Sequence, residues 1–251
     1  MKGEITRTRV EIGETAATII CEERFVSCAV EGMTRARAEI KNYIRERKDF
    51  LLSLEPLPCS DDAPVTIRRM CDAASKAGVG PMASVAGAIA WAGVERAVWE
   101  GATHCLIDNG GDIALVLDRP VTVGILEDIC STSLPAVRLD PTDGEVRGIC
   151  TSSGVFGHSI SFGNAKAATV MADDPALADA AATALGNACK SVQQLDSALG
   201  SISRIEGIRW ALAIVDDRIG ILGDVPGLTL GKVPKGLVTV HSRFPIRVPI
   251  S

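Results

Sequence analysis

Ala77 to Val94 is an uncharged run of 18 residues, the shortest stretch that can cross a bilayer as a helix. A chain carrying it must either span a membrane or enclose it in a core. Its content decides between the two. The run is mostly Ala and Gly, contains Pro81 and Ser84, and is bounded by Lys76 and by Glu95-Arg96, whereas a spanning segment needs bulkier apolar residues. It reads as a buried helix, and no membrane partner is expected. The chain is long enough to bury it: 251 residues, 47% of them apolar, support one large domain or two small ones and exclude disorder as the main state. A net charge of -5 and nine aromatic residues supply neither a basic surface nor stacking rings, which argues against a nucleic-acid partner.

Hydrophobic periodicity divides the chain further. The first 31 residues alternate like a β-meander, with Val10 and Ile12, Thr18 to Cys21 and Phe25 to Val30 as its strands. Met33 to about Leu54 has helical spacing, Pro56 and Pro58 end it, and Ser60 to Pro64 form a loop before a helix over 64–77. Pro81 then starts a helix running to about Trp99. Strands follow at Cys105 to Asp108, Asp112 to Leu117 and Val121 to Leu126, with a turn at Asn109-Gly110-Gly111. A polar stretch covers Glu127 to Arg147, and Ala165 to Ala188 is strongly helical in places. Strands return at Trp210 to Val215, Ile219 to Leu222, Leu237 to Val240 and Ile246 to Ile250. With no repeat and no linker, the expected fold is α+β, a single domain of mostly antiparallel sheet with packed helices over residues 1–251.

The eight cysteines include no CxxC pair. They lack the short spacing of a zinc or iron-sulfur site and the setting of a small disulfide-bonded secreted domain, so reduced and mostly buried thiols are expected. The N-terminus has no apolar signal region. A cytoplasmic location is expected.

Four features could carry chemistry. Gly80-Pro81-Met82 opens a helix, and free N–H groups at such an end attract phosphate or carboxylate. Asp108-Asn109-Gly110-Gly111-Asp112 is either a plain type I′ turn or a place where glycines admit a ligand while Asp112 accepts hydrogen bonds. Thr151-Ser152-Ser153-Gly154, followed by His158, puts hydroxyls, backbone N–H groups and a general acid or base within one loop. Asp174-Pro175 is a strong helix start. Inside that helix Asp179, Thr183 and Asn187 recur every four residues, which forms either an ordinary exposed face or a partial Mg²⁺ or Ca²⁺ site of oxygen ligands.

The order of these features resembles the ApbE superfamily, whose best-known members are magnesium-dependent flavin transferases that move FMN from FAD onto a protein threonine. The matching stretches are Asn109-Gly110-Gly111-Asp112-Ile113, Thr151-Ser152-Ser153-Gly154, His158, and Ala178-Asp179-Ala180-Ala181-Ala182-Thr183-Ala184-Leu185. The resemblance implies an ApbE-like fold and a site for FAD or FMN with Mg²⁺. It assigns Asp179 and Thr183 to the metal, His158 and Asp179 to catalysis, and Gly80, Met82, Asn109, Gly110, Gly111, Asp112, Thr151, Ser152, Ser153 and Gly154 to the cofactor. The transferases continue from their histidine into an Asp-Pro-Arg-Thr-Gly-like segment, whereas this chain reads His158-Ser159-Ile160-Ser161. The chain is therefore most similar to a small, soluble branch of the superfamily. Three functions stay open: Mg²⁺-dependent transfer or hydrolysis at a nucleotide diphosphate, a non-catalytic flavin or anion-binding module, and a sulfur-handling accessory protein. The partner expected is a small-molecule nucleotide ligand, and a homodimer is compatible with each reading.

Overall fold

The computed structural model describes residues 3–125, 134–153, 165–216 and 218–231. It opens on a hairpin of β1 (Ile5–Ile12) and β2 (Thr15–Glu22). The third strand expected at Phe25 to Val30 is helical instead. A 3-10 turn at Glu23–Phe25 leads directly into α1 (Val26–Glu46), which buries Ala29, Gly32, Met33, Ala36 and Ile40 at helical spacing. A short apolar run such as this one carries too few residues to separate period two from period 3.6. Next come α2 (Lys48–Leu52) and α3 (Val65–Ala77), then a 3-10 turn at Pro81–Ser84 and α4 (Val85–Trp99). The uncharged run therefore straddles a 106° bend between two helices. Among the described residues no single helix is long and apolar enough to cross a membrane.

The β elements that follow are β3 (Cys105–Asn109), β4 (Asp112–Val116), β5 (Val121–Gly124), β6 (Leu134–Leu139), β7 (Arg147–Ser152) and β8 (Ala167–Ala172). Then come α5 (Pro175–Ala188), α6 (Leu195–Ile202), β9 (Ile208–Val215), β10 (Arg218–Leu222) and β11 (Thr229–Gly231). A second expectation is corrected here: the alanines of 167–172 form a strand. Strand β6 lies within the polar stretch of 127–147. All six residues of β8 are buried, because both faces of this central strand are covered, and that burial overrides the helical preference of alanine. The strands expected at 237–240 and 246–250, and Leu126 at the end of the third central one, lie outside the described residues.

Eight strands pair in the order β1-β2-β3-β4-β7-β8-β9-β10, every neighbour antiparallel, and β11-β6-β5 form a second antiparallel sheet. Side chains alternate between the faces of the large sheet. One face, with Ile107, Ala114, Cys150 and Val170, packs on the helices. The other, with Leu106, Leu115, Ile149 and Met171, packs on Val123, Val137 and Leu139 of the small sheet. The result is the α+β class read from the sequence, with α4 and α5 laid across the middle of the large sheet. The seven described cysteines are unpaired thiols, and Cys21, Cys71, Cys105, Cys150 and Cys189 are buried.

Candidate functional site

The hairpin of β3 and β4 turns on Gly110 (φ 74°) and Gly111 (φ 100°), with Asn109 paired to Asp112. Positive φ at both central positions is what a type I′ turn requires, and glycine adopts it without strain. The centre of the turn is thus Gly-Gly rather than Asn-Gly. Asn109 is consequently free to reach sideways: its Nδ2 donates to the Ala86 carbonyl at 3.1 Å, which ties the hairpin to the first turn of α4. On the opposite side the Asp108 Oδ1 accepts from the Gly111 N–H at 2.9 Å, and the Thr151 N–H donates to the Gly111 carbonyl at 3.2 Å.

Helix α5 starts where Asp174 and Pro175 place it, with the Asp174 side chain accepting from the Leu177 N–H. One turn later the Asp179 Oδ2 accepts the Gly87 N–H at 2.8 Å, 92 residues away in sequence. This contact caps α4 from a neighbouring helix. Ser84, at the helix's own cap position, makes no cap bond and donates its hydroxyl to the Pro81 carbonyl instead. The first-turn N–H groups of a helix have no intrahelical partner, so a carboxylate there is stabilised both by hydrogen bonding and by the helix dipole. Glycines permit this approach. A Cβ on Gly87 would lie 2.4 Å from the Pro175 carbonyl oxygen, and one on Gly148 would lie 2.4 Å from the Pro175 Cα.

Asp112 sits on β4 directly opposite Cys150 on β7, on the helix-covered face that also carries Asn109. Burial pushes the Asp179 carboxyl up to about 7 against the lowering effect of the Gly87 and Ala86 N–H groups. Asp112 is raised well above the ordinary carboxylate value, first by burial and then by the charges of Asp179 and Asp108, with the Cys150 thiol and the Thr151 N–H acting the other way. The charge of Asp179 thus adds to burial in favouring the protonated form of Asp112. Thr183, one turn along α5 from Asp179, is 8% exposed and Asp179 is 7% exposed. The expectation of an ordinary exposed helix face is therefore overturned: α5 is enclosed by β7, β8, α3 and α4.

The structure brings Asn109, Asp112, Asp179 and the α4 N-terminus together. Ser152 shares the helix-covered face with Cys150, two residues earlier, and its buried hydroxyl has no hydrogen-bond partner among the described residues. Thr151 points to the opposite face, where its hydroxyl meets that of Thr169 at 2.9 Å. Thr151 and Ser152 lie on β7 rather than in a loop, so strand alternation separates them. Ser153 follows directly on the end of β7, and Gly154 and His158 lie outside the described residues. Gly80 is buried where a Cβ would come within 1.9 Å of the Ser53 carbonyl oxygen, so its lack of a side chain serves a chain crossing. Met82 packs against the helix-side core. Among the described residues no three His, Cys, Asp or Glu side chains form a metal-binding group. Asp179 with Thr183 offers hard oxygen donors that water and phosphate oxygens would have to complete, the usual arrangement for Mg²⁺. Sequence reasoning missed the Gly87 and Ala86 N–H groups and the Cys150 thiol. An isolated glycine inside a helical run was the one available signal.

A family model described as "AbpE bacteria" matches residues 1–204. The chain is 42% identical over 231 residues to a UPF0280 protein of Methanocella arvoryzae, covering 92% of this chain and 94% of that one. It is 45% identical over 235 residues to a UPF0280 protein of Methanospirillum hungatei, covering 93% and 94%. Among solved structures, a histidine-to-glycine mutant of the flavin transferase ApbE from Vibrio cholerae superposes with a TM-score of 0.59 at 11% identity, over 90% of this chain and 98% of that one. The Thermotoga maritima ApbE protein gives a TM-score of 0.58 at 11% identity, over 89% and 97%. At that identity the structural matches establish the fold alone. The family model and the close relatives establish more: the protein belongs to the ApbE-like family, among its UPF0280 members.

Proposed function

We propose that the protein binds FAD, FMN or a related nucleotide diphosphate together with Mg²⁺ and catalyses transfer or hydrolysis at the diphosphate. The observation that carries this reading is the meeting of two carboxyls with raised pKa values, Asp112 and Asp179, at the N-terminus of α4. Buried carboxylates with displaced pKa values mark functional sites more often than structural ones. In the proposal Asp179 and Thr183 hold the metal. Bound there, Mg²⁺ would neutralise charge developing on the diphosphate. Asp112 accepts hydrogen bonds from the nucleotide and orients it. The buried Ser152 hydroxyl and the adjoining Ser153 and Gly154 contact phosphate oxygens, with the Gly110-Gly111 turn admitting the ligand beside them, while Gly80 and Met82 hold the α4 N-terminus in place. His158 moves the proton that the reaction requires. The reading takes the chain as one ApbE-like domain in the cytoplasm, where its unpaired thiols stay reduced.

A second reading, binding without turnover, is favoured by the absence of an Asp-Pro segment after His158. One experiment separates the two: calorimetric titration with FAD, with and without Mg²⁺, followed by chromatography of FAD after prolonged incubation. Mg²⁺-dependent binding with release of AMP supports the enzyme. Binding with intact FAD supports the module, and no binding overturns both.

A further inference from the structure

We infer that Asn109 is a positioning residue of the proposed Mg²⁺ and nucleotide site: through the Ala86–Gly87 peptide it fixes the N–H that holds the Asp179 carboxylate. The inference rests on the flavin-nucleotide reading for the ligand, and on two hydrogen bonds for the geometry. The Asn109 Nδ2 donates to the Ala86 carbonyl at 3.1 Å, and the Gly87 N–H donates to the Asp179 Oδ2 at 2.8 Å. That carbonyl and that N–H are the two ends of one peptide group. Strand β3 therefore grips one side of the peptide and α5 the other, in a chain running from amide to peptide to carboxylate. Hydrogen bonds linked in this way polarise one another, so donation to the carbonyl makes the N–H a stronger donor. Because a carboxylate is planar, fixing Oδ2 also restricts the directions in which Oδ1 can meet a cation.

Two further observations separate this role from that of an ordinary turn residue. The positive φ of the hairpin falls on Gly110 and Gly111, and Asn109 is not among the described residues with positive φ, so the turn itself makes no demand for asparagine at its flank. Ile107, two residues earlier on the same face of β3, is apolar and buried; Asn109 breaks that pattern with a donor where α4 offers a carbonyl. Gly87 is the matching feature of α4, since an added Cβ would lie 2.8 Å from the Asp179 Cβ as well as 2.4 Å from the Pro175 carbonyl oxygen. The glycine brings the peptide within reach of α5, and Asn109 holds it there. A carbonyl can meet only the NH₂ end of the side-chain amide, so the orientation of Asn109 follows from its partner. Asn109 thus acts through the peptide, in contrast to the direct cofactor contact that motif order assigns to it.

The test uses three substitutions and two readouts. Asn109→Leu keeps the shape without a donor, Asn109→Ala keeps neither, and Asn109→His keeps a ring N–H, at Nδ1, as many bonds from the backbone as the Asn Nδ2. The first readout, amide hydrogen exchange followed by NMR, needs no ligand. The Gly87 N–H lies in the first turn of α4, where no intrahelical acceptor exists, so its protection reports the Asp179 contact. Asn109→Leu and Asn109→Ala should speed its exchange by at least about tenfold, the value of one hydrogen bond to a charged group, and Asn109→His should stay within about threefold of wild type. Exchange at Val94 and Ala97, later in α4, should not change. Unaltered Gly87 exchange in Asn109→Leu overturns the inference. Equal acceleration along all of α4 shows a structural tie alone and overturns it as well. The second readout is calorimetric titration with Mg²⁺, alone and with FAD present. Asn109→Leu and Asn109→Ala should weaken Mg²⁺ binding by about tenfold, and Asn109→His should restore it. Wild-type Mg²⁺ affinity in a variant that has lost Gly87 protection overturns the positioning role. A wild type that binds Mg²⁺ and leaves FAD unbound overturns the flavin reading, and the titrations with Mg²⁺ alone still decide the role of Asn109. A wild type that binds neither overturns both. Where Asn109→Leu fails to fold, Asn109→Ala carries the comparison.

Discussion

Replacing Asp179 by Asn should remove much of the pH dependence of folding, and the structure fixes both its sign and its size. The folded protein holds the Asp179 carboxyl at about 7, against an ordinary value of 3.8. The raised value means that the folded state retains a proton the unfolded chain has released. The associated stability is fully present below 3.8 and is lost as pH rises toward 7, after which the curve flattens. The difference corresponds to about 4 kcal/mol across the window, at roughly 1.4 kcal/mol per pH unit for one proton. Asn cannot titrate, yet its carbonyl oxygen can still accept the Gly87 N–H that the carboxylate accepts at 2.8 Å. The cap on α4 therefore survives while the slope goes. The assay is urea unfolding of wild type and Asp179→Asn at intervals from pH 4 to pH 8. Asp112 and Asp174 are also raised, so both proteins keep a residual slope, and the difference between the curves reports Asp179 together with the part of the Asp112 rise that the Asp179 charge causes. Parallel curves would refute the assignment of a buried proton to this residue. The Ala variant is a worse probe than helix propensity implies, because it leaves the Gly87 N–H unsatisfied at a cost of about 1–3 kcal/mol.

Gly111→Val should lower the thermal midpoint and weaken FAD binding, because φ is 100° there while the nearest atom to an added Cβ is the Thr151 oxygen at 3.8 Å; the cost is backbone conformation, about 1–2 kcal/mol, and an unchanged midpoint counts against the tight turn. Gly87→Ala places a Cβ 2.4 Å from the Pro175 carbonyl oxygen and should force α4 and α5 apart, so both the melting temperature and Mg²⁺-dependent binding fall; wild-type values for both would show that the helices separate freely. Thr183→Val keeps volume and removes a hydroxyl from a side chain that is 8% exposed. It should reduce Mg²⁺ affinity by at least about tenfold, the value of one lost oxygen contact, and calorimetry that finds unaltered Mg²⁺ affinity removes Thr183 from the metal.

The parts of the fold that sequence reading recovers are those with local causes. Paired glycines between two β-patterned segments can only be a tight turn, and Asp174-Pro175 carries its own capping chemistry, so both stand where expected. Phe25 to Val30 fails because six residues fit either period, and 167–172 fails because alanine content reports helix propensity whereas two covering layers decide the outcome. The site divides along the same line. Motif order proposes candidate residues, but Thr151 and Ser152 read as one loop until the strand sends them to opposite faces. The bond from Gly87 to Asp179 joins residues 92 positions apart, and no periodicity reaches that far. Burial of α5 on nearly every side is equally invisible, since its polar line at Asp179 and Thr183 is what an exposed helix face would show.

Two demands meet at Asp179, and their conflict yields a final prediction. As the cap of α4 its carboxyl is held by backbone donors that favour the ionised form, while burial favours the protonated one. Burial prevails, so near pH 7 a cation must displace a proton to bind. Its apparent affinity should then fall by about tenfold for each pH unit below 7, provided one proton is displaced. A Mg²⁺ concentration 100 times the dissociation constant of the ionised site stabilises a protein by about 2.7 kcal/mol. Two pH units below 7 the same concentration should give only about 0.4 kcal/mol by that relation. Unfolding in urea at pH 5 and pH 8, each with and without Mg²⁺, measures both numbers on the same sample. Asp179→Asn, which has no proton to displace and one charge fewer, should show little stabilisation at either pH. Equal stabilisation of the wild type at pH 5 and pH 8 would mean that Mg²⁺ binds away from Asp179, and the carboxylate would then be a helix cap alone.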